Sequence, residues 1–548
     1  MAHHTEFKLI EKPAGFTRSA WRMWRCLPVR VFRRQRLSVC GFSTGSNLAP
    51  VRLYVVAGEA SGDAIGAKVI RALQRHQPPR SLEIRGIGGP LMSKAGAFES
   101  LFPMQELSVM GLLEVVPHIW RFQRRIHDTL RDIENYQPEL ILTIDSKGFT
   151  FRVLKALQAS EQKSGGKRIK KVHYVAPSVW AYKHRGKRDF TELKQLLDAM
   201  FTILPFEEDI FNVGEEIQSP DNKGRTWCHF VGHPAVEDFL EINGVYESGA
   251  TKSLDCTLDS DIETGAEGLL SFSKYERSNL LARGRLLQDL AAIGREPSAR
   301  TRVRENFGIS KDAFVICALV GSRVNEVKKS LQLVLEAIAK FKEAKSQQQQ
   351  IFVVFPTISA VEQQVKNHIN TAAPEVKWRV LTDLATEERF RLFQVTSGSD
   401  CASLYTFLKL IALTPVDLQS SDAAVAVSGT IVLETTLANL PTVVIYRANR
   451  LTEWIAKRLA AVRFVSIPNI LLGRPLIPEL LFSDCAAPKI AETLRVLLHQ
   501  KTKEKDALQL TRALSTLTKW QETTENKLKP IRASDLVAKR ILNVLTDK

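Results

Sequence analysis

Ser428-Gly429-Thr430-Ile431-Val432-Leu433-Glu434 directly follows the apolar run Ala423-Ala424-Val425-Ala426-Val427 and opens a stretch that reads as a helix. A short buried strand, a turn of small residues and a helix start gather unpaired backbone N–H groups and the positive end of a helix dipole, which is how a fold holds a phosphate. Glu434 stands four residues past Thr430. That is about one helical turn, so its carboxylate can face the same ligand and accept hydrogen bonds from a ribose. Ser428, Gly429, Thr430 and Glu434 thus read as a sugar-nucleotide site or as an ordinary capped strand-to-helix connection, and the rest of the chain decides.

The same pattern recurs along the sequence. Val51-Arg52-Leu53-Tyr54-Val55-Val56-Ala57 is a β-branched run followed by Gly58-Glu59-Ala60-Ser61-Gly62-Asp63 and by Ile65, Val69 and Leu73 at helical spacing. This is the opening unit of a doubly wound α/β domain. Strands are predicted at 140–144, ending at Asp145, and at 172–175 and 199–204. A second series is predicted at 314–319, 351–355, 378–381, 423–427 and 442–446. Strands alternating with helices imply parallel sheets with ligands beyond the strand C-termini. The expected organisation is a segment 1–49, a Rossmann-like half over 50–239, a linker or insertion over 240–300, a second Rossmann-like half over 301–484 and a charged helical segment over 485–548.

At 548 residues the chain exceeds what one hydrophobic core organises, and its 44% hydrophobic and 25% charged residues suit a globular protein. No apolar run approaches the roughly 18 residues that span a bilayer. Residues 1–49 carry nine basic residues against Glu6 and Glu11, with no apolar signal-peptide core. They read as a mitochondrial transit peptide or as a basic arm. They supply +7 of the formal +17, and the +10 left on the body favours anionic partners. The basic residues outside this segment are dispersed and accompany no recognition motif, so no nucleic-acid partner is expected. Five scattered cysteines in the body, without a C-x-x-C pair, argue against a disulfide framework. The histidines lack ligand spacing: no metal site and no cofactor are expected.

Two further residues carry chemistry. Arg323, in Gly321-Ser322-Arg323, follows the first strand of the second half. On the same sheet edge as the Ser428 turn, it would neutralise a diphosphate leaving group, although a surface arginine on a loop fits the same spacing. Asp145, at the end of a first-half strand, is placed either to take a proton from an attacking hydroxyl or to cap the following helix.

Several stretches in colinear order are similar to the lipid-A-disaccharide synthase family. They are 58–63, Leu107-Ser108-Val109-Met110-Gly111-Leu112-Leu113-Glu114-Val115, Ile144-Asp145-Ser146, the run from His173 to Ala181, Gly232-His233-Pro234, Gly321-Ser322-Arg323, 428–434 and Ser466-Ile467-Pro468-Asn469. The resemblance covers most of residues 50 to 500. It implies a metal-independent glycosyltransferase with two Rossmann-like domains facing across a cleft, the GT-B architecture. Such an enzyme joins UDP-2,3-diacylglucosamine to 2,3-diacylglucosamine 1-phosphate, releasing UDP and leaving a β-1,6 disaccharide. By that likeness Asp145 is the general base, with Glu59 beside it in the catalytic set. Arg323 binds donor phosphate, Glu434 and the Ser428 turn hold UDP, Asn469 lies near the donor, and Glu59, Ser61 and Gly62 line the acceptor side. The family's Ile-Asp-Ser-Pro-Asp-Phe is here Ile144-Asp145-Ser146-Lys147-Gly148-Phe149, and its Pro before Gly-Ser-Arg is Val320.

Acylated substrates give meaning to Val109, Met110, Leu112, Leu113, Val116, Trp120 and Phe122, a dense apolar segment with Arg121, Arg124 and Arg125 beside it. It reads as a helix lying in a membrane interface, matrix-side in a mitochondrion, or else as a buried core helix. Rival readings are another UDP-sugar enzyme such as a UDP-N-acetylglucosamine epimerase, and a membrane-peripheral UDP-sugar-binding protein of weak turnover. An insertion near 396–420 precedes the strand that leads to the UDP turn. The sequence does not fix an oligomeric state.

Overall fold

The computed structural model describes residues 49–76, 78, 80–107, 119–165, 168–181, 190–213, 227–246, 254–255, 280–293, 304, 308–310, 313–343, 350–372, 375–384, 389, 423–448, 453–454, 458, 460–499, 504–522 and 527–546. The transit segment, most of the apolar stretch that begins at Val109, and the 396–420 insertion lie outside them.

The first half is a parallel sheet of β1 (Val51–Ala57), β2 (Leu82–Ile87), β3 (Phe98–Ser100), β4 (Leu140–Ile144), β5 (Lys170–Tyr174), β6 (Ala199–Thr202) and β7 (Cys228–Phe230), in the order β3-β2-β1-β4-β5-β6-β7. Helices cover both faces, so the inner strands are apolar along their length: β4 is buried throughout and β1 exposes Arg52 alone. β8 (Leu254–Asp255) belongs to a small third sheet. The second half is built from β9 (Phe314–Leu319), β10 (Ile351–Thr357), β11 (Lys377–Thr382), β12 (Ala423–Val427), β13 (Thr442–Tyr446) and β14 (Glu479–Leu481), again all parallel, in the order β11-β10-β9-β12-β13-β14. Both orders are those of the doubly wound dinucleotide-binding fold, with the strand order reversing between β1 and β4 and between β9 and β12.

Register carries this topology into the site. Ala57 pairs with Ile144, which sets Gly58 beside Asp145; Leu319 pairs with Ala426, which sets the Gly-Ser-Arg turn beside Ser428. Both motif pairs therefore emerge at the reversal points, where ligands of such sheets bind.

Apolar clusters fill both faces of each sheet, and one of them runs through both halves. It joins Phe206, Val236, Phe239 and Leu240 of the first to Val315, Leu433 and Leu471 of the second. The helix Pro234–Ile242 packs there against Thr430–Leu437.

Two sequence expectations change. Within 240–300, the helix Leu280–Ile293 buries Leu286, Leu287 and Leu290 in the shared core and packs on the helix Glu504–Ser515, so this part is no loose linker. The segment 485–548 is neither wholly helical nor a separate unit. It contains the antiparallel pair β15 (Lys519–Glu522) and β16 (Lys527–Ile531), to which β8 adds. Its helix Ala487–His499 completes the second half, while its last helix, Ala533–Thr546, returns to bury Val537, Ala538 and Ile541 in the first. Glu237 caps that returning helix, accepting from Ser534 N at 2.9 Å and Oγ at 2.6 Å.

Asp63, in the first turn of the helix Ala60–Arg75, ties that helix to the turn after β2. Its buried carboxylate accepts from the backbone N–H groups of Gly89 at 2.9 Å, Leu91 at 3.0 Å and Met92 at 3.0 Å, at the start of the helix Pro90–Ala95. Asp63→Ala strands these donors and is expected to cost about 2–4 kcal/mol of stability. Asp63→Asn keeps an acceptor and should lose less. Thermal and urea unfolding check the order, and an alanine variant as stable as the parent would remove Asp63 from this role.

Candidate functional site

Asp145 sits where the sequence predicts, immediately past β4, in the left-handed region at φ 48°, followed by Ser146 at φ 46°. Two successive side-chain-bearing residues in that region store strain of order 1–3 kcal/mol each, and Val175 at the end of β5 adds a third at φ 73°. The surroundings hold them in place. Asp145 N donates to Tyr174 O at 2.9 Å, Thr150 Oγ1 donates to Asp145 O at 2.9 Å, and Val175 N donates to Phe201 O at 3.0 Å. Gly58 is required by proximity, since a Cβ there would collide with the Ser146 side chain. Ser146, not Asp145, is the cap residue of the helix Lys147–Ser164, and it caps without its side chain.

Burial pushes the Asp145 carboxyl up from its ordinary value, while a hydrogen bond from the Ser146 backbone N–H, then the Arg323 guanidinium and Lys147, draw it back. Lys147, where the family has proline, thus helps keep the carboxylate ionised. Gly148 leaves open space, and Phe149 remains buried.

Arg323 comes from the other half. Its Nη2 donates to Glu59 Oε2, joining the turn after β9 to the turn after β1, and its Nη1 donates to Glu326 Oε1 at 2.6 Å. Burial raises the Glu59 carboxyl; Arg323 opposes the shift and Asp145 adds to it. Glu59, Asp145 and Arg323, distant in sequence and drawn from both sheets, therefore act on one another in a single cleft. Ser61 is exposed near this edge, but Gly62, expected to line the cleft, is buried against Ala57, where a Cβ would stand 3.3 Å from the alanine Cβ.

On the second sheet Gly429 and Thr430 are exposed. Gly429 precedes the helix Thr430–Leu437 with no side-chain cap and has open space where a Cβ would be. Ser428 N is engaged by Ile445 O at 3.0 Å. Glu434 is buried and already held: Arg389 Nε donates to its Oε2 at 3.1 Å and Nη2 to its Oε1 at 3.3 Å. Burial raises its carboxyl and Arg389 counters.

Asn469 is wholly buried, and its amide has no capacity left. Nδ2 donates to Ile477 O at 2.8 Å and Glu479 Oε1 at 2.9 Å, and Oδ1 accepts from Leu476 N at 3.0 Å and Ile477 N at 2.9 Å. The expected donor contact is therefore not one its side chain makes in this structure; Asn469 shapes the loop that borders the site. Glu479 completes that loop, accepting from Val465 N, Ser466 N and Ser466 Oγ.

Of the apolar stretch, Val109, Met110, Leu112, Leu113 and Val116 lie outside the described residues. Trp120 and Phe122 begin the helix Ile119–Tyr136 and part company. Trp120 is 81% exposed, while Phe122 packs edge-on against Phe149 at 5.4 Å with Arg152 over its ring. Arg121 and Arg124 are exposed; Arg125 is occupied by Glu106 and Asp128.

Glu326, Arg389 and Glu479 were not singled out in the sequence. Glu326 carried a signal, an acidic residue in the first turn of the helix Val324–Glu343 and three residues past Arg323. Arg389 and Glu479 meet their partners only through the fold.

The family model described as lipid-A-disaccharide synthetase matches residues 53–255 and 404–530. A probable mitochondrial lipid-A-disaccharide synthase of Arabidopsis thaliana is 32% identical over 466 residues, 84% of this chain and 82% of that protein. The lipid-A-disaccharide synthase of Granulibacter bethesdensis is 33% identical over 449 residues, 82% of this chain and 86% of that protein. Among solved structures, a UDP-GlcNAc 2-epimerase of Methanocaldococcus jannaschii in complex with UDP-GlcNAc and UDP aligns over 90% of this chain and 99% of that one, at 11% identity and a TM-score of 0.46. On the extent of the family match and the identity to its members, the chain belongs to the lipid-A-disaccharide synthase family.

Proposed function

We propose that this chain transfers 2,3-diacylglucosamine from its UDP derivative to 2,3-diacylglucosamine 1-phosphate with inversion, forming a β-1,6 disaccharide 1-phosphate and UDP. As a member of its family the chain is a glycosyltransferase. The observation that carries the assignment of roles is the convergence of Asp145 and Glu59 of one half with Arg323 of the other. The Asp145 carboxylate takes the proton of the acceptor hydroxyl as its oxygen bonds to the anomeric carbon. The bond from that carbon to the diphosphate breaks with its electron pair on the leaving oxygen, where Arg323 and the open N-terminus of the helix Thr430–Leu437 offset the charge. Glu59 stands on the acceptor side and Ser61 beside it. Glu434, held by Arg389, faces the nucleoside, and Asn469 and Gly62 support the walls of the site rather than touch substrate.

Among the described residues no helix is long and apolar enough to cross a membrane. The exposed Trp120 and the arginines beside it favour attachment to a membrane surface, where acylated substrates reside. The basic leader, together with a relative named as mitochondrial, favours a mitochondrial location on the matrix side.

The direct test follows UDP release from UDP-2,3-diacylglucosamine, in detergent, with and without the acylated acceptor. Acceptor-dependent release with a disaccharide product is expected, and UDP binding without turnover would overturn the transferase reading. Asp145→Asn should lower kcat by about 10²–10⁴-fold and leave UDP affinity within about twofold. Because burial raises the Asp145 carboxyl above 3.8 and the base works ionised, kcat/KM should rise with pH through a limb displaced above that value. That limb should vanish in the variant.

Arg389→Met tests the support of Glu434. Without the guanidinium, burial and the Asp238 charge act, against Lys68 only, on a carboxyl that already lies above 4.5, so the folded protein binds its proton more tightly than the unfolded chain. The destabilisation, about 3–5 kcal/mol when Glu434 must ionise, is therefore full above the new folded value and fades as pH falls toward 4.5. Denaturation midpoints at pH 5 and pH 8 check this, and a loss equal at both would contradict it.

A further inference from the structure

We propose that Glu326 is a positioning residue for the donor diphosphate, holding Arg323 in the orientation from which the edge it shares with Glu59 meets the phosphates. The proposal rests on the reading of Arg323 as the phosphate-binding arginine.

Two carboxylates hold that arginine, and they are not equivalent. Glu326 lies in the first turn of the helix that follows the arginine and works with both oxygens: Oε1 accepts from Arg323 Nη1 at 2.6 Å and Oε2 accepts from Ser322 N at 3.1 Å. It thereby fixes the guanidinium to the backbone of the turn that presents it. The turn is shaped around this carboxylate, because Gly321 sits at φ +101° and a Cβ on it would stand 2.7 Å from both Glu326 Cβ and Oε2. Glu59, by contrast, reaches Arg323 Nη2 from the opposite sheet, side chain to side chain.

An arriving diphosphate needs a guanidinium edge with two N–H groups, and arginine offers more than one such edge. The edge facing the other half is the one Glu59 occupies, so the diphosphate exchanges with Glu59 while Glu326 stays. Without Glu326 the arginine regains its rotamers and is left with Glu59, the partner that competes with the ligand. The two carboxylates thus act on nucleotide binding with opposite signs although both pair with the same arginine.

The test is UDP affinity, measured by calorimetry on the full chain in detergent. Glu326→Ala should weaken UDP by about 10-fold or more, and Glu326→Gln, which keeps one acceptor where two are needed, by less. Glu59→Gln should tighten UDP by a few fold, about 2–10. Arg323→Ala should weaken it at least as much as Glu326→Ala, and adding Glu326→Ala to Arg323→Ala should cost nothing more. Should Arg323→Ala leave UDP affinity unchanged, the phosphate role of Arg323 fails. Where Arg323→Ala weakens binding but the Glu326 effect persists in full beside it, Glu326 serves the fold of the turn alone and the proposal is overturned. Should the alanine variant not fold, the opposite responses of Glu326→Gln and Glu59→Gln decide, and two losses in the same direction reject it.

Discussion

The ion pair between Glu59 and Arg323 is the interaction on which the site depends, because it joins the carboxyl edges of two separate sheets. Such a pair, with the two side chains 15% and 24% exposed, contributes little net stability once desolvation is counted. What it fixes is geometry. Each partner sits one turn past a strand at the reversal point of its sheet, so the contact aligns the two places where doubly wound folds bind ligands. Asp145 lies within the field of the same pair, which is why its carboxyl feels both burial and Arg323.

Around this contact the loops are built on a second class of carboxylate, already fully used by the protein. Asp63 takes three backbone N–H groups, Glu326 takes Ser322 N with Arg323, and Glu479 takes Val465 N and Ser466 N with the Asn469 amide. Irregular backbone at a sheet edge has donors that no ladder satisfies, and an acidic side chain is the compact solution. Glu207 belongs with them, accepting from Trp180 Nε1 at 2.9 Å and Leu204 N at 3.2 Å, with burial raising it to about 7. Asp145 and Glu59 differ in kind. The acids available for chemistry are those whose partners can change when a charged substrate enters.

The sequence was most legible where burial on both faces of a sheet leaves an apolar run with at most one polar residue near its start. The strands 51–57, 314–319, 423–427 and 442–446 coincide with the apolar runs residue for residue. β2 was missed because its exposed Glu83 and Arg85 break the run, and β3, β7 and β14 are three residues each, too short for any periodicity. In 485–548 the helical pattern of the flanks hid the strand pair carrying Trp520 and Leu528. Among candidate site residues, the position in the fold was legible for those that directly follow strands, since the sheet dictates their edge. The burial of Asn469 and Gly62 was not legible, because whether an amide or a glycine turns to the core depends on packing that local sequence does not contain. Arg389 stands 45 residues from Glu434, and nothing in the spacing foretells the pair.

The way the halves are joined bears on how a bulky lipid-linked substrate could enter. On one side they share a continuous apolar core through the helix Pro234–Ile242, where separation would expose packed side chains. At the mouth they meet through polar contacts, Arg323 with Glu59 and Ala461 N with Ala181 O at 2.9 Å. An apolar seam opens only at the cost of its buried area, whereas a hydrogen bond or a solvent-accessible ion pair can be exchanged for one with substrate at nearly constant free energy. Relative movement of the halves is therefore easiest at the mouth, about the shared core. The charges that enter with a diphosphate are the ones suited to exchange with the ion pair that closes it.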